Sequence, residues 1–319
     1  LRAHGKERFF LYLHLMDVHQ YAYYANTPIF GTAYVDSYDS AIAWVDQNLG
    51  VLSMGLEKEG LLEKTILVIA SDHGEAFDEH GIEGHAQDLH AEVTQTPLIL
   101  SFPFALEEPI VVDELVRNVD IMPTVLDLAG LPPLPGTPGR SLVPAIEAAA
   151  RGEKSPEATL PAYAELDRTW GQTEQPPKLI VSVRTDEWKL IHWMDGSKPE
   201  LLYDKRKDPG EKKNLATEEA APLASLVQQI SQYMAMTPAP FGGPTQVEVD
   251  SAQLEQLRAL GYIIKWLRGV TLLPPALVAK EQALLARLRA SGSTLVAFSG
   301  GVDSSYLALT AHPPLREPS

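Results

Sequence analysis

The chain reads as an α/β protein with a mainly parallel sheet and helices on both faces, then a small antiparallel subdomain, then a short strand-loop-helix tail. Three observations predict this. From Arg8 to about Gly130, apolar strand-like runs alternate with longer amphipathic stretches, the pattern of strands joined by crossover helices. Residues 160–215 hold short apolar runs separated by turns such as Asp195-Gly196, the pattern of hairpins. After Tyr262 the character changes again, toward an apolar run, Thr294 to Phe298, that enters Ser299-Gly300-Gly301. The expected divisions are residues 1–158, 159–262 and 263–319.

Each element has a local cause. Residues 8–16 are almost uniformly apolar and read as a buried strand. Between Ser37 and Leu56, Ala41, Ile42, Trp44, Val45, Leu49 and Leu52 recur at helical spacing. Residues 65–70 and 96–102 read as fully buried parallel strands. Asn118 to Asp120 forms a helix entry ahead of Ile121, Met122, Val125, Leu126 and Leu128, with Pro123 in the first turn and Gly130 as the stop. Pro132, Pro133, Pro135 and Pro138 make the next stretch irregular, and a helix follows over 142–150. In the second division, 179–183, 188–192 and 200–203 are expected strands, with a helix over 221–234 packed on them. Short helices are expected over 251–260 and 275–290.

The balance of charge narrows the function. Lys plus Arg is 26 and Asp plus Glu is 42, so the net charge is 26 − 42 = −16, the wrong sign for a nucleic-acid-binding surface. With no cysteine, a metal must be held by carboxylate, imidazole or carbonyl groups. No apolar run approaches the roughly 18 residues of a membrane span, so no membrane insertion is expected. Residue 1 is Leu, close ahead of the first strand, and the expectation is of a cut chain. The compartment is not legible.

The chemistry concentrates at two strand ends. Ser71-Asp72-His73-Gly74-Glu75 follows a buried strand, where open α/β sheets place their ligands. A carboxylate beside an imidazole can share one divalent cation, and Gly74 would let the backbone turn away sharply. His73, His80, His85 and His90 crowd into one short stretch, and His19 follows the first strand in His14-Leu15-Met16-Asp17-Val18-His19. His14 suits a core histidine as well as a functional one.

Together these segments resemble the C-terminal half of a sulfatase of the alkaline phosphatase superfamily. The resemblance rests on His14-x-x-Asp17-x-His19, on Ser71 to Glu75 with Glu79-His80-Gly81 and His85, and on Thr96-Pro97-Leu98-Ile99. It continues through Val119-Asp120, Pro123-Thr124, Gly139-Arg140-Ser141-Leu142, Trp188-Lys189-Leu190, Leu202-Tyr203-Asp204, Asp208-Pro209-Gly210-Glu211 and Asn214-Leu215. It implies a partial alkaline-phosphatase-like sheet in which Asp72 and His73 bind a divalent metal, calcium first, with magnesium or manganese as alternatives. It places His19 on the sulfate and His85 near the leaving oxygen, as catalytic and substrate-binding residues. The implied substrate is a sulfate ester, of a small molecule or a glycan. Asp120, Pro123, Thr124, Tyr203 and residues 208–211 read as structural.

The chain departs from the family at two places. His19-Gln20-Tyr21-Ala22 stands where a His-x-Pro-Tyr is common. The family's Cys/Ser-x-Pro-x-Arg motif, source of the formylglycine nucleophile, does not occur. The expectation is therefore that these 319 residues alone do not turn over ester. Alternatives are a phosphoryl-group hydrolase or transferase of the same superfamily, or a non-catalytic fusion fragment with residual ion binding.

Residues 276–312 resemble the PP-loop ATP pyrophosphatases, most closely the sacrificial sulfur transferases of LarE type. Ser299, Gly300, Gly301, Asp303 and Ser304 would then cradle a nucleotide phosphate, with ATP bound only in a complete parent of this segment.

Overall fold

The computed structural model describes residues 9–106, 108–169 and 176–236, and the backbone of Thr294–Ser299. Strand β1 (Phe10–His14) leads to helix α1 (Tyr34–Lys58) and strand β2 (Ile66–Ser71). A small ribbon, β3 (Ala76–Phe77) with β4 (Glu83–Gly84), is followed by the single turn α2 (Ala91–Thr94) and strand β5 (Leu98–Ser101). Helices α3 (Ile121–Leu128) and α4 (Val143–Ala150) complete the first lobe. The second lobe holds β6 (Ala162–Asp167), β7 (Leu179–Arg184), β8 (Trp188–Trp193), β9 (Leu201–Asp204) and helix α5 (Ala220–Met236). Strand β10 is Thr294–Ser299.

The first sheet has the order β1-β10-β2-β5. Strands β1, β10 and β2 are parallel, with His14 level with Phe298 and Phe298 level with Ala70. Helices cover both faces, as the alternation of strand and helix predicts. Ile66, Val68 and Ala70 point to one side against Ile121, Val125 and Phe102. On the other side Leu67 and Leu11 pack with Leu52, Leu56 and Leu61.

Two expectations for this sheet are corrected. Strand β2 alternates between buried and half-buried positions, and β5 pairs antiparallel to it, Leu67 opposite Ser101 and Ala70 opposite Leu98. Ile99 in β5 is 55% exposed. A parallel partner needs a crossover that carries the chain back to the other end of the sheet. Residues 72–97 instead form the ribbon and one helical turn, so the chain re-enters from the end it left. Strand β10 lies between β1 and β2 and pairs with the facing edges of both. The helices expected over 251–260 and 275–290 lie outside the described residues, as do Gly300, Gly301, Asp303 and Ser304.

The second lobe is an antiparallel sheet in the order β6-β7-β8-β9. Leu226 and Ile230 of α5 pack on Val181, Val183, Leu190 and Leu202, as the apolar spacing of 221–234 predicts. Strand β6 was not foreseen, because Ala162 to Asp167 is only half-buried and mixes Ala with Glu and Asp.

A buried charge cluster ties the lobes together. Glu211, 1% exposed, accepts hydrogen bonds from the Lys205 ammonium at 2.7 Å and from the Ala91 N–H at the start of α2 at 2.9 Å. The Lys189 ammonium lies 3.1 Å from the same carboxylate and donates to Thr94 Oγ1 at 3.0 Å. Burial pushes Lys189 down to about 8. Burial alone would raise Glu211, but the two ammonium groups outweigh it and hold the carboxylate below its ordinary range.

Candidate functional site

Register brings the two polar segments to one edge. Because β1 and β2 run parallel and end level on either side of β10, the residues after each strand emerge at the same end of the sheet. Asp17 anchors the first loop by accepting from Trp44 Nε1 of α1 at 3.0 Å. Asn118 Nδ2 donates to the Ser71 carbonyl at 3.0 Å and Ser71 Oγ to that of His73 at 2.5 Å. Both fix the second loop.

Gly74 has a physical reason different from the one expected. Its φ is not positive. Instead, a Cβ there would run into the Glu92 carbonyl oxygen, while the Gly74 N–H donates to the Val93 carbonyl at 2.9 Å. Glycine is required for the close approach of α2 to the loop after β2. Gly74→Ala is expected to destabilise the chain by about 1–3 kcal/mol through overpacking, seen as a lowered thermal midpoint. An unchanged midpoint would show that α2 yields freely.

The β3-β4 ribbon folds the chain back so that Ala76 faces Gly84, and His85 returns over Glu75. His85 Nδ1 lies 3.1 and 3.2 Å from the two Glu75 carboxylate oxygens, and Glu75 is 7% exposed. Gly84 and Ala86, on either side of His85, both have positive φ, a conformation glycine adopts freely and alanine does not. His73 Nδ1 lies 2.8 Å from the Gly74 carbonyl, which can only accept, so Nδ1 carries the proton and Nε2 presents its lone pair.

His19, His73 and His85 meet. The ring centroids of His73 and His85 are 4.2 Å apart, those of His19 and His85 5.1 Å, and those of His19 and His73 6.1 Å. Ligand atoms of the three rings lie within 4.8 Å of one another. Burial, and then the neighbouring His85 and His73, lower the His19 pKa. Burial pushes the Asp72 carboxyl up to about 6, against the opposing pull of His73 and of backbone N–H groups. A cation beside Asp72 would relieve that cost, so its half-buried carboxylate and the His73 lone pair fit a shared divalent ion.

His80 and His90 do not join this group. Their rings stack at 3.9 Å. His80 sits between Glu92 Oε1 at 2.6 Å and the Glu211 carbonyl at 2.9 Å. His90 sits between Asp88 Oδ2 at 2.6 Å and Tyr203 Oη at 3.1 Å. They belong to the contact between lobes. His14 is a strand histidine whose pKa burial lowers. Asp120 is structural, as expected: its carboxylate takes the Arg117 guanidinium at 2.7 Å and the Arg140 N–H at 3.0 Å. Ser299 lies level with Ser71 in the sheet.

Two roles escaped the sequence reading. Glu75 stood in the motif without an assigned task, and Glu211 passed as a turn residue. For Glu211 the available signal was Lys189, a lone cation inside the apolar run of β8.

Comparison with known proteins bears on the same residues. Residues 1–131 match the sulfatase family model, and residues 79–237 match that of the C-terminal region of N-sulphoglucosamine sulphohydrolase. Over residues 1–237 the chain is thus similar to sulfatases. It is 31% identical over 199 residues to arylsulfatase K of Bos taurus, covering 60% of this chain and 35% of that protein. It is 32% identical over 182 residues to the N-acetylglucosamine-6-O-sulfatase of Bacteroides thetaiotaomicron, covering 57% and 32%. The chain spans about a third of the length of the curated relatives it matches.

Among solved structures, it resembles a protein in complex with its substrate D-glucosamine-2-N,6-O-disulfate, with TM-score 0.55 and 31% identity over 63% of this chain and 40% of that one. It also resembles the phosphonate monoester hydrolase of Agrobacterium radiobacter, with TM-score 0.51 and 26% identity over 63% and 41%. Nothing in these comparisons bears on the resemblance of the tail to PP-loop enzymes. No helix among the described residues is long and apolar enough to cross a membrane.

Proposed function

We propose that this chain carries the cation-binding and anion-binding part of a sulfuric ester hydrolase. The observation that carries the reading is the convergence of His19, His73 and His85 beside Asp72 at one end of the first sheet. Asp72 and His73 would hold a divalent cation, calcium first, with magnesium or manganese as alternatives. When bound, such a cation neutralises charge on the tetrahedral anion. His19 and His85 contact the sulfate oxygens, His85 on the side of the departing alkoxide. Glu75 fixes the His85 ring, its carboxylate facing Nδ1 so that Nε2 points toward the ester.

The curated relatives named for glycan sulfate esters support a sulfated sugar as substrate. The covalent step has no candidate here, because the chain holds neither cysteine nor a Ser-x-Pro-x-Arg motif. We therefore expect these 319 residues to bind a sulfate ester without turning it over. The likeness to a phosphonate monoester hydrolase favours one second reading, a phosphoryl ester in the same anion site. Calorimetric titration with glucosamine 6-sulfate and glucosamine 6-phosphate separates the two, since the sulfate reading requires the tighter binding of the first.

Glu75→Ala tests the geometry. A hydrogen bond to a charged group contributes about 1.5–3 kcal/mol, so losing the orientation of His85 is expected to weaken sulfate-ester binding about 10–100-fold. The exposed neighbour Glu83 serves as the control position. Equal binding by Glu75→Ala and the unaltered chain would remove His85 from the anion site.

A further inference from the structure

The imidazole trio has a property that sulfate binding does not use. His73 directs its Nδ1 proton to the Gly74 carbonyl at 2.8 Å, and His85 directs its own toward Glu75 at 3.1 Å. In both rings Nε2 is left as a free lone pair, in the arrangement of ligand histidines held by a second acceptor. The third ring, His19, approaches both from the loop after β1, on a separate element. Three imidazole nitrogens about 2.0–2.1 Å from one ion lie roughly 3–4 Å from each other, and here the ligand atoms of all three rings already fall within 4.8 Å.

We propose that His19, His73 and His85 form a binding site for a borderline divalent cation of the zinc class, in which the ion takes the place of the sulfate group. A set of three nitrogens suits zinc, cobalt or nickel, whereas calcium and magnesium select oxygen. Asp72 stands outside this group of three. The site shares His73 with the hard cation of Asp72 and shares His19 and His85 with the sulfate, so a zinc-class ion excludes sulfate ester and makes the site zinc-sensitive. The other histidine group, His80 and His90 with Glu92, is a poorer host. All four of its ring nitrogens face Glu92, Glu211, Asp88 or Tyr203, and binding there would break the contact between lobes. The binding of the ion stands on imidazole geometry, whereas its exclusion of sulfate ester rests on the proposed sulfate site.

The test is titration of the full chain with cobalt(II), followed by its visible absorption, and displacement of the cobalt by zinc. His19→Ala, His85→Ala and Asp72→Asn are titrated alongside. His19 is the exposed member of the three, so its removal is expected to spare the fold and keeps the test valid even where His85→Ala misfolds. The expected result is one cobalt per chain, bound at least about tenfold more weakly without His19, with Asp72→Asn little changed. No saturable cobalt absorption, or absorption that survives loss of His19, would overturn the proposal. So would an equal loss in Asp72→Asn, which would make the trio part of the hard-cation site. A failure here leaves the calcium and sulfate-ester titrations unaffected, so the two readings fail separately.

Discussion

Replacing Glu211 with alanine is expected to cost about 3–5 kcal/mol of stability, the penalty of leaving a buried charge without its partner. The carboxylate is shared by Lys189 and Lys205, whose side chains are each 2% exposed. Its removal strands two ammonium groups and also frees the N–H of Ala91. Urea unfolding of the two chains measures the difference. A change below about 1 kcal/mol would mean that water reaches the lysines and that the cluster behaves as a surface pair.

The same residue sets an acid limit. Its folded-state pKa is depressed, so its contribution is fully present above the unfolded carboxylate value of about 4.3 and is lost as the pH falls through the folded value. Stability of the unaltered chain should therefore fall in that acid window, and Glu211→Gln should fall less steeply there.

The second large effect is expected at Asp72. Asparagine keeps the shape of the side chain and removes the charge, and loss of a charged ligand should exceed the roughly 10–100-fold cost of disturbing a ligand's outer partners. Calcium affinity of Asp72→Asn is accordingly expected to drop by more than about 100-fold, equivalent to about 2.7 kcal/mol. Calorimetry with calcium, magnesium and manganese gives the number. Equal affinities in both chains would place the cation elsewhere.

Much of this was legible from local patterns. The apolar run of 65–70 and the helical spacing of 37–56 and 221–234 specify elements directly, because burial of one face decides them. The juxtaposition of His19 with His73 was legible in outline, since successive strand ends of a parallel sheet share one edge. What sequence could not resolve is set by long-range geometry. The direction of β5 depends on where residues 72–97 travel, not on its own apolar pattern. The sorting of His85 into the site and of His80 and His90 into the lobe contact depends on the β3-β4 ribbon, which is two residues on each side. Glu211 became significant only when β8 brought Lys189 to it across 22 residues of chain. Gly74 was recognised as necessary, yet the cause is the Glu92 carbonyl rather than its own dihedral angles.

The central claim is that one site at the ends of β1 and β2 takes both the cation and the sulfate ester. The direct measurement is calorimetric titration of the chain with glucosamine 6-sulfate in the presence and absence of saturating calcium. Binding at a shared site requires coupling, and favourable coupling of about 1–3 kcal/mol corresponds to roughly 5–150-fold. The account predicts that calcium tightens sulfate-ester binding within that range, that the ester tightens calcium binding by the same factor, and that both effects vanish in Asp72→Asn. Ester affinity that is identical with and without calcium would contradict it.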